Sequence, residues 1–129
     1  MNKYVGIVLV SHSEKIAQGV KDLIREVIKD VPIEVAGGEL DGGIGTDVQR
    51  ITTAIKKVFA QTNKGVLIFY DLGSAKMNSE LAIELAGFNN VAIVEAPFVE
   101  GAYVGAVEAL NKRGFEEIVL KIEASFSNQ

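Results

Sequence analysis

The chain has 129 residues, 48% of them hydrophobic, with 13 basic and 17 acidic side chains and a formal net charge of −4; this fits one domain, residues 1–129, with a real core and excludes a disordered segment. Cysteine is absent, which excludes disulfides, thiolate metal sites and cysteine nucleophiles and fits a reducing compartment. The basic pairs Lys56-Lys57 and Lys112-Arg113 are isolated, so the positive footprint of a nucleic-acid binder is missing, and no apolar run approaches the ~20 residues of a membrane span.

Tyr4 to Val10 is almost continuously apolar, the pattern of a short strand covered on both faces in a parallel sheet. It lacks the small-residue cleavage site of a signal peptide. Ile16, Val20, Leu23, Ile24, Val27 and Ile28 then predict a helix from Glu14 with one buried face. Ser11 and Glu14 have capping-box spacing, and Ser13 is an alternative N-cap. Pro32 ends this segment, and Ile33 to Ala36 is predicted as a second strand. Five glycines within Gly37 to Gly45 make an irregular loop. Thr46 or Asp47 can cap the next helix, whose face is Val48, Ile51, Ile55, Val58 and Phe59. Gly65 opens a third strand, Val66 to Tyr70, which terminates at Asp71. Gly73-Ser74 form a turn into a helix through Met77, Leu81 and Leu85 to a C-terminal cap at Gly87. Val91 to Val94 is a fourth strand. A last helix runs from about Phe98 to Lys112, with Gly114 at its end. Glu117 to Ile122 is predicted as a fifth strand, and Ser125 to Gln129 as a frayed end.

This βαβαβαβαβ series has no linker or repeat. Right-handed crossovers make it a doubly wound α/β fold, a flavodoxin-like three-layer sandwich around a mostly parallel sheet. The expected strand order is 2-1-3-4, with the fifth strand at an edge. That order sets strands one and three side by side at the topological switch point, where such folds bind ligands.

His12, the only histidine, follows the end of strand one, and Asp71 ends strand three, so both should face that crevice. A carboxylate on one imidazole nitrogen fixes the tautomer and frees the other as a nucleophile. The bland alternatives are a solvated loop histidine and a turn or cap aspartate. Backbone amides at the helix starts after Ser11 and Gly73 would aim at an anion, and Ser11, Ser13, Ser74 and Thr46 offer hydroxyls. Gly42 and Gly43 lie in a loop that would let backbone approach a phosphate, or is simply a mobile connection. There is no GxxxxGK[ST] and no GxGxxG before a helix, so a nucleotide loop is not supported. His12 with Asp41, Asp47 and Asp71 has no recognisable metal-ligand spacing, so no metal is expected. Serine hydrolysis through Ser11 or Ser74 lacks a nucleophile elbow. Flavin binding would suit the fold, yet no Ser/Thr-rich phosphate loop follows strand one.

Four ordered blocks carry a family resemblance. Gly6-Ile7-Val8-Leu9-Val10-Ser11-His12-Ser13, Asp41-Gly42-Gly43-Ile44-Gly45-Thr46, Asp71-Leu72-Gly73-Ser74-Ala75-Lys76-Met77-Asn78 and Ala96-Pro97-Phe98-Val99-Glu100-Gly101-Ala102 resemble the phosphoryl-carrier subunits of phosphotransferase-system-dependent dihydroxyacetone kinases. These are related to mannose-type IIA domains, which usually carry His-Gly and a DLFGGSP-like turn. Here Ser13 follows His12 and the turn reads Asp71-Leu72-Gly73-Ser74-Ala75, which favours the dihydroxyacetone branch. A mannose-family sugar IIA component and a non-catalytic module binding an anion or nucleotide are the alternatives.

The resemblance implies a cytoplasmic phosphotransferase subunit of glycerol and dihydroxyacetone metabolism. His12 would accept a phosphoryl group from the phosphocarrier HPr and pass it to ADP held in the nucleotide-binding kinase subunit. No cofactor is expected beyond the transient phosphohistidine, and neither nucleic acid nor membrane is an expected partner. Some relatives carry further phosphocarrier domains, not expected here because the chain ends at Gln129. The resemblance also implies a homodimer, to which mannose-type domains contribute their last strand; Glu117 to Ile122 is the segment that could do so. Leu40, Ile44, Leu72, Met77 and Phe98 are candidates for a docking surface, and each is equally readable as core.

Overall fold

The computed structural model describes residues 1–127. Its elements in chain order are β1 (Gly6–Ser11), α1 (Glu14–Arg25), β2 (Ile33–Gly37), α2 (Val48–Phe59), β3 (Val66–Tyr70), α3 (Gly73–Ala86), β4 (Val91–Ile93), α4 (Phe98–Leu110) and α5 (Phe115–Phe126). The strands form one parallel sheet in the order β2-β1-β3-β4, the order expected from the sequence.

The unbroken apolar runs of β1 and β3 follow from cover on both faces. Ile7, Leu9, Leu67 and Phe69 point into a core closed by Val20, Ile24 and Ile28 from the α1 segment, Ala102 and Ala106 of α4, and Ile118 and Ile122 of α5. Val8, Val10, Val66 and Ile68 point the other way, against Ile51, Ile55 and Val58 of α2 and Ala75 and Ala82 of α3. Helix α4 lies close on β3 because it carries glycine where it crosses: a Cβ on Gly105 would stand 2.7 Å from the Phe69 ring. Bulk there would force the helix off the sheet.

The caps settle two alternatives left by the sequence. Ser13 is the N-cap of α1, its Oγ accepting the Ile16 amide at 3.3 Å. Asp47 caps α2, its Oδ1 accepting the Gln49 amide at 3.0 Å. Helix α1 ends at Arg25, before Ile28, and the Arg25 guanidinium donates to the carbonyls of Ile28 and Lys29.

Three expectations are corrected. Glu117 to Ile122 is not an edge strand: it lies inside α5. Its β-branched residues suggest extension, but burial there has helical spacing, with Ile118 and Ile122 inward and Leu120 70% exposed. Glu116 and Glu117 fall in the first turn, where the helix dipole favours acids. The segment therefore offers no strand to exchange. Second, the buried face of α1 is Ala17, Val20 and Ile24, while Ile16 and Leu23, with Val27 beyond it, face outward. Third, α3 buries Ala75, Ser79 and Ala82 and exposes Met77, Leu81 and Leu85; small residues let it approach the sheet and α2. Ser125 and Phe126 complete α5, and Asn128 and Gln129 lie outside the described residues.

Candidate functional site

The sheet register builds the site. Val10 of β1 pairs with Tyr70 of β3, so the residues that follow, Ser11 and His12 on one side and Asp71 on the other, leave the sheet together. The Asp71 amide donates to the Val10 carbonyl at 3.2 Å, continuing the ladder to the rim.

Asp71 is met by four donors. His12 Nδ1 lies 2.9 Å from Oδ1, and the Leu72 amide donates to the same oxygen at 2.7 Å. The His12 amide donates to Oδ2 at 3.0 Å, and the Ser11 hydroxyl to Oδ2 at 2.8 Å. Burial pushes the Asp71 carboxyl up; the bonds from the His12 ring, the His12 amide, Ser11 and Leu72 outweigh it and hold the group below its usual value. The carboxylate is thus ionised and accepts only, which assigns the His12 proton to Nδ1.

The other ring nitrogen, Nε2, then carries the free electron pair. It lies 2.7 Å from Ser74 Oγ, whose hydroxyl donates to it. Ser74 sits in the first turn of α3, which Leu72 leaves without a side-chain cap. The opening amides of a helix have no partner inside it and favour an anion. A Cβ on Gly73 would meet nothing within 4 Å, so the space beside Gly73 is open, while the Ala75 amide already donates to the Leu72 carbonyl at 2.9 Å. The head of α1 differs, because Ser13 caps it and the Ser13 amide is bound to Ser11 Oγ at 3.0 Å.

The glycine loop supports the histidine from below. The Gly45 amide donates to the His12 carbonyl at 2.8 Å and the Gly38 amide to the Ser11 carbonyl at 3.0 Å. Gly38 has φ +73, a conformation glycine adopts at little cost. The amides of Gly42 and Gly43 are engaged within the loop, on the Glu39 carbonyl and on Asp41 Oδ1. Arg50 fastens the loop through the carbonyls of Gly37 and Glu39. Thr46 accepts a bond from Asn78 of α3, tying the entry of α2 to that helix. Of the sequence-selected residues, His12, Asp71, Ser11, Ser13 and Ser74 meet in one hydrogen-bonded cluster. Gly42, Gly43 and Thr46 do not join it.

A second polar cluster at the same sheet end was not foreseen. The Tyr70 hydroxyl donates to Glu95 at 2.7 Å, and Lys76 pairs with the other Glu95 oxygen at 2.8 Å. The Lys76 bond holds the Glu95 carboxyl low, and burial followed by the Glu95 contact raises the Tyr70 hydroxyl. The sequence signal was present, since Tyr70 ends one apolar strand run and Glu95 follows another, but nothing in it announced the pairing.

His12 is 20% exposed at its side chain and stands on an open rim. The grooves at Arg50 and Lys57, and at Thr46, Asp47 and Asn78, do not include it. Of the docking candidates, Leu40, Ile44, Leu72 and Met77 are 60% exposed or more, whereas Phe98 is half-buried against the core. Among the described residues, no group of three or more potential ligands could hold a metal, and no helix is long and apolar enough to cross a membrane.

The fold and site define a class: parallel α/β sandwiches that present a carboxylate-backed histidine at the strand ends beside a helix start with no side-chain cap. Residues 6–119 match the EIIA-man family, described as the PTS system fructose IIA component. The phosphoryl donor subunit DhaM of PEP-dependent dihydroxyacetone kinase 1 from Listeria innocua serovar 6a is 44% identical over 108 residues, 84% of each chain. The phosphotransferase subunit DhaM of the PTS-dependent dihydroxyacetone kinase from Lactococcus lactis subsp. lactis is 41% identical over 118 residues, 92% of this chain and 93% of the relative. A crystallised protein of unknown function superposes with a TM-score of 0.79 at 32% identity over 94% of each chain. The chain belongs to the EIIA-man family and, within it, to the phosphoryl donor subunits of dihydroxyacetone kinase.

Proposed function

We propose that His12 is a phosphoryl carrier that receives its group from HPr and delivers it to ADP held in the nucleotide-binding subunit of a dihydroxyacetone kinase. The observation that carries this reading is the ring itself: Nδ1 is fixed by Asp71 at 2.9 Å and Nε2 faces the head of α3 through Ser74. Nε2 attacks phosphorus in line. The N–P bond of the donor's phosphohistidine breaks, its pair returning to the donor ring, while the new N–P bond forms at Nε2. The Nδ1 proton stays between ring and carboxylate, and Asp71 offsets the positive charge the ring acquires. Ser74 releases Nε2 and can donate to a phosphoryl oxygen, aided by the first amides of α3. An oxygen of the ADP β-phosphate then attacks, ATP forms, and the pair returns to Nε2. The phosphoryl group is cargo, so this cycle needs no resident cofactor.

The chain on this reading is one component of a phosphotransferase; the kinase reaction is completed in its partner. The open rim supports this division, because a donor and an acceptor protein must each reach the same nitrogen in turn. Incubation with phosphoenolpyruvate, the first enzyme of the phosphotransferase system and HPr is the test. The wild-type chain should gain an acid-labile phosphate, and a folded His12→Ala variant should gain none. Labelling of His12→Ala would refute the assignment.

The chain is also proposed to pair with a second copy. Among the described residues the outer edge of β4 has no sheet partner, and beside it Ala92, Phe115, Val119 and the exposed Leu120, with Glu116, line a largely apolar hollow. Such an edge invites pairing or cover. Sedimentation at micromolar concentration should report a dimer; a monomer would contradict this.

A further inference from the structure

We propose that Ser11 is a positioning residue for His12: its buried hydroxyl, fixed in direction by the Ser13 amide, holds Asp71 in the orientation that keeps the proton on Nδ1 and leaves Nε2 free. This rests on the reading of His12 as the phosphoryl acceptor. From sequence, Ser11 is one of several hydroxyls available to a phosphate. The structure gives it another task. Ser11 is fully buried, so it lies beneath the rim, while Nε2 and Ser74 form its upper side.

The direction of each bond follows from the donors. The Ser13 amide can only donate, so it occupies a lone pair of Ser11 Oγ at 3.0 Å. The ionised Asp71 carboxylate can only accept, so the Ser11 proton points at Oδ2 at 2.8 Å. A chain of donors therefore runs from the head of α1 through Ser11 into Asp71, and each bond polarises the next. The four donors divide two to each oxygen, which stops the carboxylate from rotating away from the ring. Two of the other three are backbone amides and the third is the reacting ring. Ser11 alone can be removed without altering the chain path or the nucleophile.

The charged surroundings are few. From the end of β1, His12 is the titratable group on Asp71. From the α3 side come the Leu72 amide and, on the ring, Ser74; Lys76 is engaged by Glu95. From the α1 side comes the Ser13 amide through Ser11, with Glu14 exposed. Loss of the Ser11 bond should therefore register directly in the titration of Asp71.

The experiment compares wild type, Ser11→Ala and Ser11→Thr. The Asp71 carboxyl is followed by carbon-13 NMR, the His12 tautomer by nitrogen-15 NMR, and phosphate acceptance from HPr across pH. A hydrogen bond to a charged group is strong enough that its loss in Ser11→Ala should move the midpoint of the Asp71 titration up by about one pH unit and slow acceptance across the pH range. Ser11→Thr, which keeps the hydroxyl, should return both towards wild type. An unmoved Asp71 titration in folded Ser11→Ala would overturn the proposal, and so would a displacement that Ser11→Thr leaves in place. The carboxyl titration needs no phosphoryl donor, so it tests Ser11 separately; failure of the wild-type chain to take phosphate would instead overturn the reading of His12.

Discussion

His12 and Asp71 are joined twice, once through the ring at 2.9 Å and once through the backbone amide at 3.0 Å. The amide bond fixes where the carboxylate sits relative to the chain, and the ring bond fixes the tautomer. Neighbouring strands separated by about sixty residues produce this arrangement only because β3 lies directly beside β1. Removing the carboxylate leaves the nucleophile but frees both its tautomer and its rotation. Asp71→Ala should keep measurable phosphate acceptance while slowing it by ~10²–10⁴-fold, the usual cost of losing an orienting or acid–base partner. Rapid-quench measurement of label uptake checks this, and a near wild-type rate would reduce Asp71 to a turn residue.

The low Asp71 carboxyl also links the site to acid stability. Its folded pKa lies below its unfolded one. Its stabilising contribution is therefore complete above the unfolded value and disappears as pH falls through the folded value. The stability gap between wild type and Asp71→Ala should be largest near neutrality and should narrow in acid below the ordinary carboxylate range. Urea unfolding at a series of pH values measures it. A gap that stays constant through that range and below it would mean the carboxylate gains nothing from its four donors.

Helix α5 gives a test of the corrected fold. If residues 117–122 were a strand, Ile118, Leu120 and Ile122 would share one face. In the helix, Ile118 and Ile122 are fully buried and Leu120 is 70% exposed. Ile118→Ala and Ile122→Ala should each cost about 2–5 kcal/mol, as buried large-to-small changes do. Leu120→Ala should change chain stability by no more than about 0.5 kcal/mol when measured below the concentration of dimer formation. Equal losses at all three positions would contradict the helix.

These cases show where sequence was enough. β1 and β3 were legible because a strand covered on both faces must be apolar throughout, and their adjacency followed from topology. The His12–Asp71 pairing could be read from that adjacency alone. Residues 117–122 were misread because Ile118 and Val119 are β-branched, while the helical spacing of Ile118 and Ile122 emerges only with Phe115 and Phe126 included. The faces of α1 and α3 were set by contact: α3 packs through alanines and a serine, so its larger residues are left outside. The role of Ser11 was hidden for a different reason. A serine at a strand end is equally suited to cap a helix, bind phosphate or brace a carboxylate, and burial decides among these. Likewise the glycines of the loop 37–45 promise free amides, but Gly42 and Gly43 use theirs to fold the loop itself.

The central claim is the route of the phosphoryl group, and transfer from the labelled chain measures it most directly. The chain is labelled through HPr, purified, and mixed separately with an ADP-loaded dihydroxyacetone kinase nucleotide subunit and with a mannose-type sugar IIB domain. The turn Asp71 to Asn78 departs from the sugar-branch pattern and meets the His12 ring through Asp71 and Ser74, so on the proposed reading an acceptor reaching Nε2 would meet it. Specificity is a difference between two docking free energies, and ~3 kcal/mol already separates the acceptors by more than a hundredfold. Label should leave His12 rapidly in the first mixture, with ATP formed in equal amount, and remain in the second. Rapid loss to the sugar domain, with no ATP formed from the ADP-loaded subunit, would contradict the account.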